Sequence, residues 1–173
     1  FYDASRYAKR AIADDFYSIN KYAYTVALPA PSFFGQFSGS DVTIGKILQA
    51  LLVLGFTAVY EVAEAAEHVS LAIRRYVENS TTRPLISSSC PAIVRLIQVR
   101  FPDLIDHLIP IQAPVDIAAR FAKESIMRKY GLKREDIGAF FITPCPAKVT
   151  ALRQPIGLGT SWVDGAIPLS DVY

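Results

Sequence analysis

Two cysteines are the residues of this chain best suited to chemistry, and each is set in a proline-flanked turn: Ser87-Ser88-Ser89-Cys90-Pro91 and Thr143-Pro144-Cys145-Pro146-Ala147-Lys148. A thiolate is a nucleophile and also a soft metal ligand, so the surroundings must decide between the two uses. Pro91 reads as the first residue of a helix. That places Cys90 at the positive end of a helix dipole, which favours the thiolate. Lys148 follows Cys145 by three residues and could present a cation to whatever Cys145 holds. Each feature also has an ordinary reading. A lone cysteine is most often a buried structural thiol, and a lysine after a strand is most often a surface residue.

The histidines do not complete a site. Neither His68 nor His107 stands at a metal-ligand spacing from a cysteine, so a zinc site within the chain would have at most two convincing ligands. Both fall within expected helices or at a helix end, which argues against a cysteine–histidine–acid nucleophile. Trp162 and the phenylalanine pairs read as core. Two cysteines in a chain whose first residues carry Lys9, Arg10, Asp14 and Asp15 in place of an apolar signal core point to a reducing compartment, with the cytoplasm expected. The first residue is Phe1, and the chain reads as excised from a longer one.

The elements that must position these turns follow from periodicity. Short β-rich runs alternate with helical patterns, the signature of parallel βαβ units. A helix is expected over Asp3–Tyr22, then a first strand over Tyr24–Leu28, closed by Pro29-Ala30-Pro31-Ser32. Ile44, Ile47, Leu48, Leu51 and Leu52 recur at helical spacing up to Leu54, with Gly55 placed to end the helix. A second strand over Thr57–Val62, a helix over Ala63–Glu78 and a short third strand over Pro84–Ser87 come next. The helix after Cys90 should run to about Arg100 with Ile93, Val94 and Ile97 inward. Asp116 is the expected cap of a helix to Tyr130, ended by Gly131. Gly138–Thr143 reads as a fourth strand and Val163–Pro168 as a fifth.

The fold class is therefore α/β: a three-layer lobe with a mostly parallel four- to five-stranded sheet flanked by helices, in one domain over residues 1–173, with an N-terminal helix over 1–23 and the lobe proper over 24–173. In such a sheet, ligands bind at the loops leaving the carboxyl ends of the strands. Four loops qualify, Pro29–Ser32, Val62–Ala65, Ser87–Pro91 and Thr143–Lys148, and both cysteines are in them.

Composition narrows the partners. Of 173 residues, 51% are hydrophobic and 20% charged, apolar for a domain of this size, so either the core is large or a partner surface is bare. Apolar runs such as Ile47–Phe56 are broken by Gln49 and Gly55 and fall short of the roughly 20 residues of a membrane span. A net charge of +2 with scattered basic residues gives nucleic-acid binding little support.

The two cysteine turns resemble the first and second active-site motifs of the FeFe-hydrogenases, usually Thr-Ser-Cys-Cys-Pro and Met-Pro-Cys-Thr-Ala-Lys. Ala30-Pro31-Ser32, Leu54-Gly55-Phe56, Arg100-Phe101-Pro102-Asp103-Leu104 and Val163-Asp164-Gly165 match the family's order and approximate spacing, so the resemblance runs from about Tyr24 over nearly the whole chain. It implies the first lobe of a two-lobed catalytic domain that interconverts H2 with protons and electrons. The cofactor implied is the H-cluster, a 4Fe-4S cubane bridged to a two-iron subcluster carrying carbonyl and cyanide ligands. Cys90 and Cys145 correspond to two of the four cubane cysteines, Lys148 to the donor of a hydrogen bond to a cyanide, and Pro31 and Ser32 to residues lining the same diatomic ligands. Partners implied are the second lobe of the parent chain and a ferredoxin-like electron donor or acceptor.

The departures bear on activity. The family's proton-relaying cysteine is Ser89 here, a far weaker acid. Its usual carboxylates appear as Ala72, Ile73 and Ala151. This pattern resembles the sensory or regulatory branch, where hydrogen is detected with slow turnover; a cofactor-less binding module of the family is the remaining alternative. The third motif, with the other two cubane cysteines, is expected after Tyr173. The chain alone is then expected to be apo and inactive, with an apolar face for the second lobe and homodimerisation through that face.

Overall fold

A computed structural model describes residues 16–39, 41–154 and 161–172. Four parallel strands, β1 (Tyr24–Pro29), β2 (Ala58–Val59), β3 (Ile137–Thr143) and β4 (Gly165–Pro168), form one sheet in the order β2-β1-β3-β4. Strands buried on both faces need continuous apolar runs, and β1 and β3 have them. All seven residues of β3 are buried. β1 pairs with β3 from Tyr24↔Ile137 to Pro29↔Ile142, and β3 with β4 from Phe140↔Gly165 to Thr143↔Pro168.

The alternation of side chains along a strand divides the core into two layers. Val26, Leu28, Ile137, Ala139 and Phe141 face α3 (Val62–Asn79) and α5 (Pro114–Tyr130) through Ala65, Ala118, Ala119 and Ala122. Ala27, Phe140, Ile142 and Ile167 face the other way. They meet Phe33 of the single-turn α1 (Pro31–Phe34) and Ile47 and Leu51 of α2 (Ile44–Val53). Helix, sheet and helix make the expected three-layer lobe. α4 (Pro91–Arg100) and α6 (Pro146–Arg153) pack against each other, and Val149 of α6 is buried with Ala166 of β4.

Several expectations are corrected. The expected opening helix lies outside the described residues up to position 15, and from Phe16 to Lys21 the chain is a 3-10 helix. Residues 84–87 do not join the sheet. They make one parallel bridge, Ile86↔Leu108, so the sheet has four strands. β2 is shortened to two residues because α3 already starts at Val62. Asp116 does not cap α5: Ala113 holds the cap position, Pro114 starts the helix, and Asp116 accepts instead from the Ser161 hydroxyl at 2.6 Å. Ile44, Leu52 and Ile93 are exposed, whereas Val94 and Ile97 are buried as expected. Gly131 ends α5 at φ 69°, the left-handed conformation glycine adopts at little cost.

Candidate functional site at the carboxyl ends of the strands

The strand order reverses about β1: β2 lies on one side, β3 on the other. The crevice outside the carboxyl ends of β1 and β3 is the switch point where such sheets bind ligands. The Ala30 amide donates to the Ile142 carbonyl at 3.0 Å, which joins the exit of β1 to the last turn of β3. Pro31 and Ser32, exposed at the start of α1, therefore stand beside the loop that carries Cys145 and Lys148.

Cys145 occupies the cap position of α6, with Pro146 as the first helical residue. The Thr143 hydroxyl, buried at the end of β3, accepts from the Cys145 amide at 3.2 Å and sets the turn. Cys90 is built the same way at the start of α4, with φ/ψ of −104°/108° against −93°/110° for Cys145. Pro91 follows Cys90 as Pro146 follows Cys145. The Ser87 hydroxyl accepts from the Ser89 amide at 3.4 Å, an echo of the Thr143 turn. The structure thus brings the two cysteines to the ends of two helices that pack on each other. Neither thiol makes a side-chain cap bond, so neither is engaged by its own helix. Cys90 is exposed and Cys145 half-buried, unlike inert structural thiols, which are buried.

Lys148 points its ammonium over the Phe141 ring, 5.6 Å from the centroid, and pairs with no carboxylate among the described residues. A half-buried cation held by a ring face keeps donors for an anionic ligand. Ser89 accepts from the Ser87 hydroxyl at 3.2 Å, and Ser88 donates to the Ile111 carbonyl at 2.9 Å. The histidines are elsewhere: His68 meets Phe121 edge-on, 5.7 Å between centroids, and His107 bonds the Pro84 carbonyl. Among the described residues no group of three or more His, Cys, Asp or Glu could hold a metal ion. The chain's own donor set is two thiols, the right chemistry for iron–sulfur ligation but short of a complete set.

The family model of the iron-only hydrogenase large subunit, C-terminal domain, matches residues 23–163. The chain belongs to this hydrogenase family. It is 28% identical over 127 residues to iron hydrogenase 1 of Clostridium pasteurianum, a match covering 70% of this chain and 22% of that protein. It is 27% identical over 92 residues to nar1, a cytosolic Fe-S cluster assembly factor of Aspergillus flavus, covering 51% of the chain and 16% of the factor. An apo FeFe-hydrogenase from Chlamydomonas reinhardtii shares the fold with a TM-score of 0.70 at 19% identity, over 98% of this chain and 46% of that one. The chain therefore spans about a fifth of the curated hydrogenase it matches and under half of the solved one.

Two features of this hydrogenase-family lobe were not anticipated from sequence. Lys123, on the inward face of α5, is 1% exposed and pairs with Asp164 at 2.5 Å. Burial, the larger influence, pulls its ammonium below the ordinary value of 10.5, and Asp164 opposes the shift. Asp164 also accepts from the Ala139 amide at 2.7 Å, fastening the segment before β4 to β3. The signal was present, since a lysine among Ala118, Ala119, Ala122 and Ile126 interrupts an otherwise apolar stripe. Trp162 of the same segment lies under the Arg134 guanidinium, 4.0 Å from the ring centroid, and packs on the core.

Proposed function

We propose that this lobe belongs to an FeFe-hydrogenase-type oxidoreductase and supplies two of the four cysteine ligands, Cys90 and Cys145, of the H-cluster cubane. The observation that carries the reading is the matched pair of cysteine turns: two thiols, each at a proline-started helix end, on two helices that pack together, one of which, α6, follows β3 at the switch point of the sheet. When bound, the cluster supplies redox chemistry that interconverts H2 with protons and electrons. The residues of this chain hold and surround it. Cys90 and Cys145 are the soft donors. Lys148, paired with no carboxylate among the described residues, provides the cation for an anionic ligand, a charge-assisted contact. Pro31 and Ser32 line the neighbouring loop, and Ser89 is the hydroxyl next to the ligand where a thiol would relay protons better.

The remainder of the family's catalytic domain is the partner that completes the ligand set. Its expected seat includes the outer face of α4, where Ile93, Leu96 and Val99 are exposed one turn apart. A ferredoxin-like protein is the expected electron partner.

A second reading has its own support. Ser89, with Ala72, Ile73 and Ala151 in place of carboxylates, leaves the proton route poor in titratable groups, and the likeness to nar1 extends over half the chain. A protein that binds an iron–sulfur cluster for sensing or assembly, with little turnover, fits these features. Anaerobic reconstitution of the intact protein with iron and sulfide, then maturation with a synthetic two-iron complex, separates the readings. The hydrogenase reading expects carbonyl and cyanide infrared bands that shift under hydrogen and weaken in Cys145→Ala. A cubane without such bands supports the assembly reading, and iron content indifferent to both cysteines would sink both.

A further inference from the structure

His107 has no part in the site as described, yet it holds the loop that presents Cys90. That loop, residues 84–90, lacks the support its counterpart enjoys: Cys145 follows a seven-residue buried strand, whereas Cys90 follows a segment with a single bridge outside the sheet. Its position depends on the segment 107–111. The Ile86 amide donates to the His107 carbonyl at 2.8 Å, the Ile109 amide to the Ile86 carbonyl at 2.9 Å, and the Ser88 hydroxyl to the Ile111 carbonyl at 2.9 Å. His107 Nδ1 lies 2.7 Å from the Pro84 carbonyl oxygen. A carbonyl only accepts, so Nδ1 carries the proton in this contact.

His107 is the one residue of 107–111 that meets the loop twice, through ring and backbone. It also ends the 3-10 helix Pro102–His107, which packs against α4. The same residue therefore couples the turn before α4 to the element after it. We propose that His107 is the positioning residue of the Cys90 turn, its ring acting as a clip that replaces the missing strand. The meaning of this placement for the cluster rests on the reading of Cys90 as a ligand; the placement itself does not.

Amide hydrogen exchange on the apo chain tests it, comparing the wild type with His107→Ala and His107→Asn. Asparagine can offer a side-chain N–H at nearly the position of Nδ1. The informative amides are Ile86 and Ile109, which form the bridge, and Val94, which donates to the Cys90 carbonyl at 3.1 Å and so reports whether Cys90 keeps its cap position. His107→Ala is expected to speed exchange at all three by about fivefold to tenfold, the worth of one net hydrogen bond. Phe140 in β3 is expected to hold, and His107→Asn to restore protection. Unchanged exchange in His107→Ala would overturn the proposal, and so would His107→Asn behaving like alanine. If His107→Ala does not fold, His107→Gln replaces it, because one extra methylene displaces the donor; glutamine as protective as histidine would count against the clip. Iron content of Cys90→Ala decides separately whether Cys90 is a ligand, so a sound clip with an iron-indifferent Cys90 would retire the ligand reading alone.

Discussion

A lysine ammonium buried in an apolar layer is costly unless a carboxylate meets it, and removing that carboxylate is worse than removing the buried charge itself. Lys123 is 1% exposed while the Asp164 side chain is 26% exposed. The two halves of the pair should therefore respond unequally to substitution. Asp164→Ala strands the buried ammonium and the Ala139 amide, and is expected to cost about 3 kcal/mol in urea unfolding. Lys123→Met fills the same space and leaves Asp164 partly in water on the Ala139 amide, at a cost of about 1 kcal/mol or less. Equal losses would contradict this account. The sign with pH follows from the lowered ammonium value. Between that value and 10.5, the unfolded chain binds a proton the folded chain has released, so this group makes stability rise with pH there and contributes its cost in full below. Lys123→Met should abolish that rise, seen as a flatter stability profile in alkaline buffer.

At the scale of elements, the central strands and their helices were legible because both signals agree: β1 and β3 are continuous apolar runs and α5 ends on a glycine that adopts a positive φ. The Pro84–Ser87 run reads as a strand in sequence but lies outside the sheet, because four residues with two aliphatics look alike whether they join a sheet or lie beside one turn, and only the pairing partner distinguishes them. The cysteine turns were legible through proline at the first helical position. The clip from His107 was not, since it joins residues 23 apart through a carbonyl that leaves no mark in sequence. One close fit within β3 is open to test. A Cβ built on Gly138 would stand 2.5 Å from the Tyr22 ring and 2.8 Å from Phe140. Gly138→Ala should force Tyr22 off the strand and cost about 1–3 kcal/mol by overpacking, read as a lower urea midpoint with an unchanged slope. A second substitution, Tyr22→Ala, should recover part of that loss if the clash is its cause.

On the scale of the whole molecule, the high apolar content has two destinations. One is the core, where both faces of the sheet are covered. The other is the surface: Ile44, Leu52 and Val53 of α2 are exposed, and so, on α4 and the 3-10 turn packed against it, are Leu96, Val99, Phe101 and Ile105. Exposed apolar side chains scattered singly need no explanation, but several on one helix and its neighbour mark a contact surface. In the intact family domain the proposed cover is the rest of the polypeptide. For the chain alone, the same surface is expected to meet its own copy, since a face complementary to itself closes into a two-fold dimer. Sedimentation equilibrium should then show a reversible monomer–dimer equilibrium. The double variant Leu96→Glu, Val99→Glu should shift it to monomer while leaving thermal stability nearly unchanged, because both side chains face water in the monomer and neither belongs to a core layer. A wild-type chain that stays monomeric at every concentration would show that the bare face does not pair with itself. A double variant that unfolds would show instead that α4 depends on these residues within the lobe.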